Sequence, residues 1–140
     1  MTGKRTTDVA EAATSNGRWQ ILHESRHGIT LERSGVIMAS RRAYGYDAGA
    51  RWVEVFLTEE QNVASSGDWI RVCTVSRELD LVTDALRPAT VNWSAWGAQT
   101  PAITLLVARA LNLAARLAQH LDDGGDITRA EANRELPLGR

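Results

Sequence analysis

A chain of 140 residues that is 44% hydrophobic and 24% charged fits one ordinary domain and is too short for two separate cores. Its 16 basic and 17 acidic side chains leave a formal charge of −1, which excludes a strongly basic binder on average charge and leaves only local patches. The single cysteine, Cys73, excludes an internal disulfide, and with no apolar run of signal-peptide kind in the opening residues the expected compartment is the reducing cytoplasm.

Residues 1 to 17 are rich in Thr, Ala, Ser and Asn without apolar periodicity and read as a flexible arm before a single domain over 18 to 122. From Arg18 the text changes to short runs containing Val, Ile and Trp, broken by turn-forming residues. Strands are predicted near Arg18 to Glu24, Ile29 to Arg33, Val36 to Arg41, Arg51 to Thr58 and Trp69 to Val75, with a sixth near Thr90 to Ala95. The turns are signalled by His27-Gly28, Ser34-Gly35, Tyr44 to Asp47 and Ser65 to Asp68. Such short connections favour antiparallel neighbours, because a parallel crossover needs about a dozen residues.

Within Arg51 to Thr58 the alternation sets Val53, Val55 and Leu57 on one face and Glu54 on the other, as in a sheet with one wet side. Trp52 and Phe56 break that pattern on the wet face, which therefore lies under a loop or meets something. Ser76 to Pro88 is ambiguous, since Leu79, Val82 and Leu86 suit a helical turn and Leu79 and Leu81 a continued strand; a short helix or loop ending at Pro88 is the favoured reading. In Asn92-Trp93-Ser94-Ala95-Trp96-Gly97 two tryptophans three apart cannot share one face of a regular strand, so one leaves the core or the strand breaks. The five tryptophans, with only one Phe and two Tyr, are expected to supply most of the aromatic core.

The clearest element is a helix from Pro101 to about Asp122, capped by Thr100, opened by Pro101 at its first position and stopped by Gly124 and Gly125. Arg109, Asn112, Arg116, Gln119 and Asp123 form its polar stripe. The remaining arc, including Leu106 and Leu113, is wider than one sheet contact requires. Two arginines within the run argue against a membrane span. Residues 123 to 140 read as a mobile tail, although Thr128 to Glu131 match a capping box before a weak helix to Leu136.

Signatures of catalysis are missing. His23 and His27 are four apart but straddle a strand end and a turn, and with His120 and Cys73 they would need to converge before a metal or a nucleophile becomes credible. There is no Gly-x-Ser-x-Gly, Walker loop or dinucleotide fingerprint. The acidic run Asp122 to Asp126 lacks the ligand alternation of a calcium loop and reads as a helix stop. Charge is uneven: residues 1 to 51 hold eight Lys/Arg against five Asp/Glu, and 52 to 100 hold three against seven. Arg26, Arg33, Arg41 and Arg42 with Tyr44 and Tyr46 make a basic, aromatic mixture of the kind that holds phosphates and stacks bases.

The segment Val91-Asn92-Trp93-Ser94-Ala95-Trp96-Gly97, followed by an Ala/Leu-rich helix ending His120-Leu121-Asp122, resembles the C-terminal part of small proteins of actinobacteria and their phages, over about a quarter of the chain. The resemblance implies a small accessory role and assigns no site residue. The expectation is an α+β domain, an antiparallel sheet of five or six strands packed on one long C-terminal helix. Its expected function is non-enzymatic protein binding, as a homo-oligomer or on a host protein, with no cofactor, metal or membrane. Trp52, Phe56, Trp96, Leu106 and Leu113 are the candidate interface residues; the alternative is nucleic-acid binding through Arg26, Arg33, Arg41, Arg42, Tyr44 and Tyr46.

Overall fold

Consecutive apolar runs joined by connections too short for a parallel crossover fold back on one another most cheaply as antiparallel neighbours, and the main sheet is built that way. The computed structural model describes residues 17–42, 49–58, 69–94 and 101–138. In it β1 (Gln20–Ser25), β2 (Gly28–Arg33), β3 (Val36–Arg42), β4 (Arg51–Thr58), β5 (Trp69–Arg77), β6 (Leu79–Asp80), β7 (Ala85–Leu86) and β8 (Thr90–Trp93) precede α1 (Pro101–Asp122) and α2 (Arg129–Glu135). Six strands form one antiparallel sheet in the order β1-β2-β3-β4-β5-β8, and β6 pairs only with β7. Between β2 and β3 both loop residues, Ser34 (φ 50°) and Gly35 (φ 89°), are left-handed, the type I′ geometry whose twist suits a hairpin.

Residues paired directly across strands share a face, so the register sorts the side chains. One row runs Ile21, Leu31, Met38, Val55, Cys73 and Trp93; the next runs Glu24, Ile29, Ser40, Val53, Val75 and Val91. α1 packs on this face, across β3, β4, β5 and β8. Its buried positions Ala110, Leu113, Ala114, Leu117 and Leu121 recur at three- and four-residue spacing, and the two alanines let the helix approach the sheet closely. Leu113 is therefore core and not interface, a correction with a simple cause: it lies on the seam that the sheet covers. Leu106 is half-buried at the margin of the same core.

Three further expectations change. Ser76 to Pro88 holds no helix: β5 continues to Arg77 and the chain makes the small β6–β7 hairpin, whose turn is shaped by Asp80 Oδ1 accepting from the N–H groups of Val82 (2.8 Å) and Thr83 (3.1 Å). The core is mainly aliphatic. Among the tryptophans whose side chains are described only Trp19 is fully buried, while Trp52 is half-buried and Trp93 exposed.

The third change concerns residues 123 to 138, which are packed and not a tail. α1 ends in a Schellman motif, with Gly124 (φ 83°) donating to the Leu121 carbonyl (3.1 Å) and Gly125 to that of His120 (2.8 Å). A Cβ at Gly125 would lie 2.3 to 2.5 Å from the His120 ring, so the turn needs glycine there. The chain then reverses, and α2 starts at Thr128, whose hydroxyl accepts from the Glu131 N–H (3.0 Å) as the capping box foretells. Ile127, Ala132 and Leu136 are buried in the common core. Trp19, just ahead of β1, receives them: its N–H donates to Asn133 Oδ1, and its indole Nε1–H to the Leu136 carbonyl at 2.9 Å. A seven-residue helix has no stability alone, so this burial explains why the segment is ordered.

Leu113→Ala should lower stability by about 2–5 kcal/mol, whereas Arg116→Ala, on the exposed polar side of α1, should change it by less than about 0.5 kcal/mol. Urea denaturation of both variants checks this. Trp19→Phe should cost about 1–3 kcal/mol, because the Leu136 carbonyl then loses its buried donor.

Candidate functional site

Directly paired positions place Arg42 of β3, Arg51 of β4 and Arg77 of β5 in one row on the α1 side of the sheet. Three like charges abreast repel unless each is answered. Arg77 Nη1 donates to the Leu121 carbonyl in the last turn of α1, where unsatisfied carbonyls carry the negative end of the helix dipole. Arg42 Nη2 reaches both carboxylate oxygens of Asp126 (3.0 and 3.2 Å), and Arg51 Nη1 pairs with Asp126 Oδ1.

Asp126 is further fixed by its surroundings. Its Oδ1 accepts from the Ile127 N–H (2.8 Å), its own N–H donates to Glu131 Oε2 (2.8 Å), and His120 Nε2 lies 2.8 Å from its carbonyl and 2.9 Å from Glu131 Oε2. Burial works to raise the Asp126 pKa, but the charges of Arg51 and Arg42 and the Ile127 N–H outweigh it and hold the carboxyl below its ordinary value. Burial lowers the Arg51 pKa, with Asp126 acting in the opposite direction.

Between this row and the β1–β2 turn lies a cleft of about 230 Å³, floored by Ile29, Ser40 and Ile127 and walled by Glu24, Ser25, Arg26, Arg42, Arg51 and Thr128. Ser40 is only 3% exposed, and its Oγ has no hydrogen-bond partner. A buried hydroxyl left unpaired costs roughly 1–3 kcal/mol, so the oxygen is a standing vacancy for a donor or acceptor. Arg26, Arg42 and Arg51 line the cleft with Glu24; Asp126 answers Arg42 and Arg51, Glu131 acts on Arg51 as well, and Arg26 Nε donates to His27 Nε2 (3.3 Å).

The structure divides the basic residues singled out from the sequence. Arg26 and Arg42 line the cleft together. Arg41 points to the opposite face, with its guanidinium 5.8 Å from the Trp52 ring centre. Arg33 sits at the far end of β2, where burial and then the charge of Arg109 lower its pKa, and the Nε atoms of both arginines lack partners. Tyr44, Tyr46 and Trp96 lie outside the described residues. The titratable set does not converge either. His23 lies in the row of Thr30, Ala39, Glu54 and Thr74, away from α1, while Cys73 is buried beneath the helix and His120 is at its end. Burial pushes the Cys73 thiol up to about 12, which leaves it protonated and unreactive at neutral pH. Among the described residues no group of three or more His, Cys, Asp or Glu could hold a metal ion, and no helix is long and apolar enough to cross a membrane.

Trp52 and Phe56 are half-buried on the face away from α1, as their breach of the alternation suggests. Apolar side chains are more open elsewhere: Leu81 (83% exposed) and Val82 (93%) at the β6–β7 turn, Ile21 (40%) and Leu22 (50%) on β1, Trp93 (51%) on the edge strand β8, and Leu105 (49%) and Leu111 (47%) on α1. Sequence reasoning missed Ser40, Arg51 and Asp126. The available signal was the hairpin register, since pairing β3 with β4 from their ends sets Arg42 opposite Arg51.

Because the Asp126 carboxyl is held below its unfolded value, its contribution to stability is fully present above the ordinary carboxylate pKa of about 3.9 and is lost as pH falls through the folded value. Asp126→Asn should cost about 1–3 kcal/mol at neutral pH and flatten the loss of stability below about pH 4, measured by urea denaturation across pH. Native Cys73 should resist a thiol-specific reagent until denaturant is added. No family model matches the chain, and neither the curated proteins nor the solved structures contain a match to it.

Proposed function

We propose that the protein is a non-enzymatic binding protein that associates with a second copy of itself through the first half of α1. The observation that carries this is the division of the helix. From Ala110 onward a buried residue recurs every turn, whereas none of the described side chains from Pro101 to Arg109 is buried, although Leu105, Leu106 and Val107 are among them. A helix of 22 residues spans roughly 33 Å, and its last turn is tied to Arg77 and Ala89 at one end of the sheet. The sheet is used up before the helix is.

The side of α1 turned away from the sheet is apolar along Leu105, Ala108, Leu111 and Ala115, all exposed and spaced as one stripe that runs from the first half of the helix just into the second. Trp93 adds an aromatic side chain on the same side of the sheet, at its β8 edge. A stripe of this kind is self-complementary about a two-fold axis, where two copies of α1 cross and each leucine meets the partner's apolar surface. Small alanines between the leucines allow the close approach that helix pairing requires.

The native protein should sediment as a dimer at tens of micromolar, and the double variant Leu105→Glu/Leu111→Glu should sediment as a monomer with unchanged circular dichroism. A native protein that stays monomeric at high micromolar concentration removes the proposal, and so does a double variant that remains dimeric. Leu113→Glu is the control for the core: it should unfold the chain whatever the state of association.

A further inference from the structure

We propose that the cleft between the β1–β2 turn and the start of α2 is a binding site for a small oxyanion, a phosphate or carboxylate group carried by a small molecule. The site is separate from the first half of α1 and stands whether or not the chain self-associates.

The argument starts from what the cleft offers. Arg26, Arg42 and Arg51 line it, and each guanidinium carries five N–H donors in a rigid fork suited to oxyanions. Asp126 engages Nη2 of Arg42 and Nη1 of Arg51, so one carboxylate aligns two guanidiniums without occupying all of their donors. An aligned cation loses little freedom when a ligand arrives.

Ser40 Oγ is the second observation. Ser40 lies on the α1 face in the row of Glu24 and Ile29 and lines the cleft; its Oγ, closed off from solvent and brought to the cleft by rotation about χ1, is the one buried serine oxygen among the described residues with neither a protein donor nor an acceptor. A hydroxyl donates one hydrogen bond, so it fits an oxyanion that the arginines hold from the other side. Ile29 and Ile127 supply an apolar floor, and a volume of about 230 Å³ exceeds that of a bare anion, which leaves room for a small carbon skeleton attached to it.

The test is titration calorimetry with inorganic phosphate and, in a second arm, with malonate, both at constant ionic strength set by chloride. Native protein should bind at least one of the two at a single site. Ser40→Ala and, independently, Arg26→Gln should each weaken binding about tenfold, the factor set by loss of one charge-assisted hydrogen bond. Ser40→Ala removes an oxygen with no partner, so its thermal midpoint without ligand should be equal to or above that of the native chain. Arg26 is exposed, so Arg26→Gln keeps the fold and serves if Ser40→Ala does not. The relative affinities of phosphate and malonate identify the head group. Absence of heat from both anions at about 10 mM overturns the site, and so does binding that neither substitution weakens.

Discussion

One carboxylate holds the architecture together at the point where its layers meet. Asp126 sits after the helix-ending glycines and answers two arginines that the sheet register forces side by side. Without it, β3 and β4 would close on a pair of unanswered like charges. With it, the C-terminal segment is aimed back across the sheet, so that Thr128 can start α2 and Ile127, Ala132 and Leu136 reach the core. Arg77 does the corresponding work one strand along by taking the Leu121 carbonyl. Helix end, sheet end and C-terminal segment are thus tied by one small electrostatic knot, and the cleft is the space left on its outer side.

The rest of the molecule follows from a mismatch of lengths. α1 crosses β3, β4, β5 and β8, and only from Ala110 onward does a fully buried residue recur every turn, so its first turns outrun the part of the sheet that it covers. Since one end of α1 is anchored over Arg77, the stretch without fully buried residues falls at the other end, where Leu105 is exposed, while Leu111 is exposed in the middle of the helix on the side away from the sheet. The anchor and the free surface are therefore consequences of one placement. A helix centred on the sheet would have left two short overhangs and no continuous stripe.

Much of the sheet was readable from the chain because its information is local. Turn residues such as Ser34-Gly35 and alternation such as Val53-Val55-Leu57 specify strands without reference to anything distant, and all six main strands lie where those signals put them, to within about three residues at their ends. What could not be read depends on partners far away. Whether Leu113 or Leu105 faces the sheet is a matter of rotation about a helix whose apolar arc exceeds half its circumference, and only the anchoring at Arg77 decides it. Asp126 looked like punctuation because its partners, Arg42 and Arg51, precede it by 84 and 75 residues. The C-terminal segment carried a readable capping box. Its burial stayed hidden, since Ile127, Ala132 and Leu136 are too sparse to announce a core face without the Trp19 that receives them. In the candidate site, arginine was legible as a residue type, but the grouping was not: four arginines close in sequence are split between two faces and two ends of the sheet.

The bond from the Trp19 indole to the Leu136 carbonyl has a topological meaning as well. It brings positions 117 residues apart into contact, so the described fold is a ring in everything except one covalent join. A circularly permuted gene, linking the segment after Leu136 to the one before Trp19 and cut at the exposed tip between Leu81 and Asp84, would interrupt no strand of the main sheet and neither helix. The natural order of the strands is then one of several readings of a single circular plan, and a fused reporter placed at the new ends would sit at an exposed turn outside the main sheet.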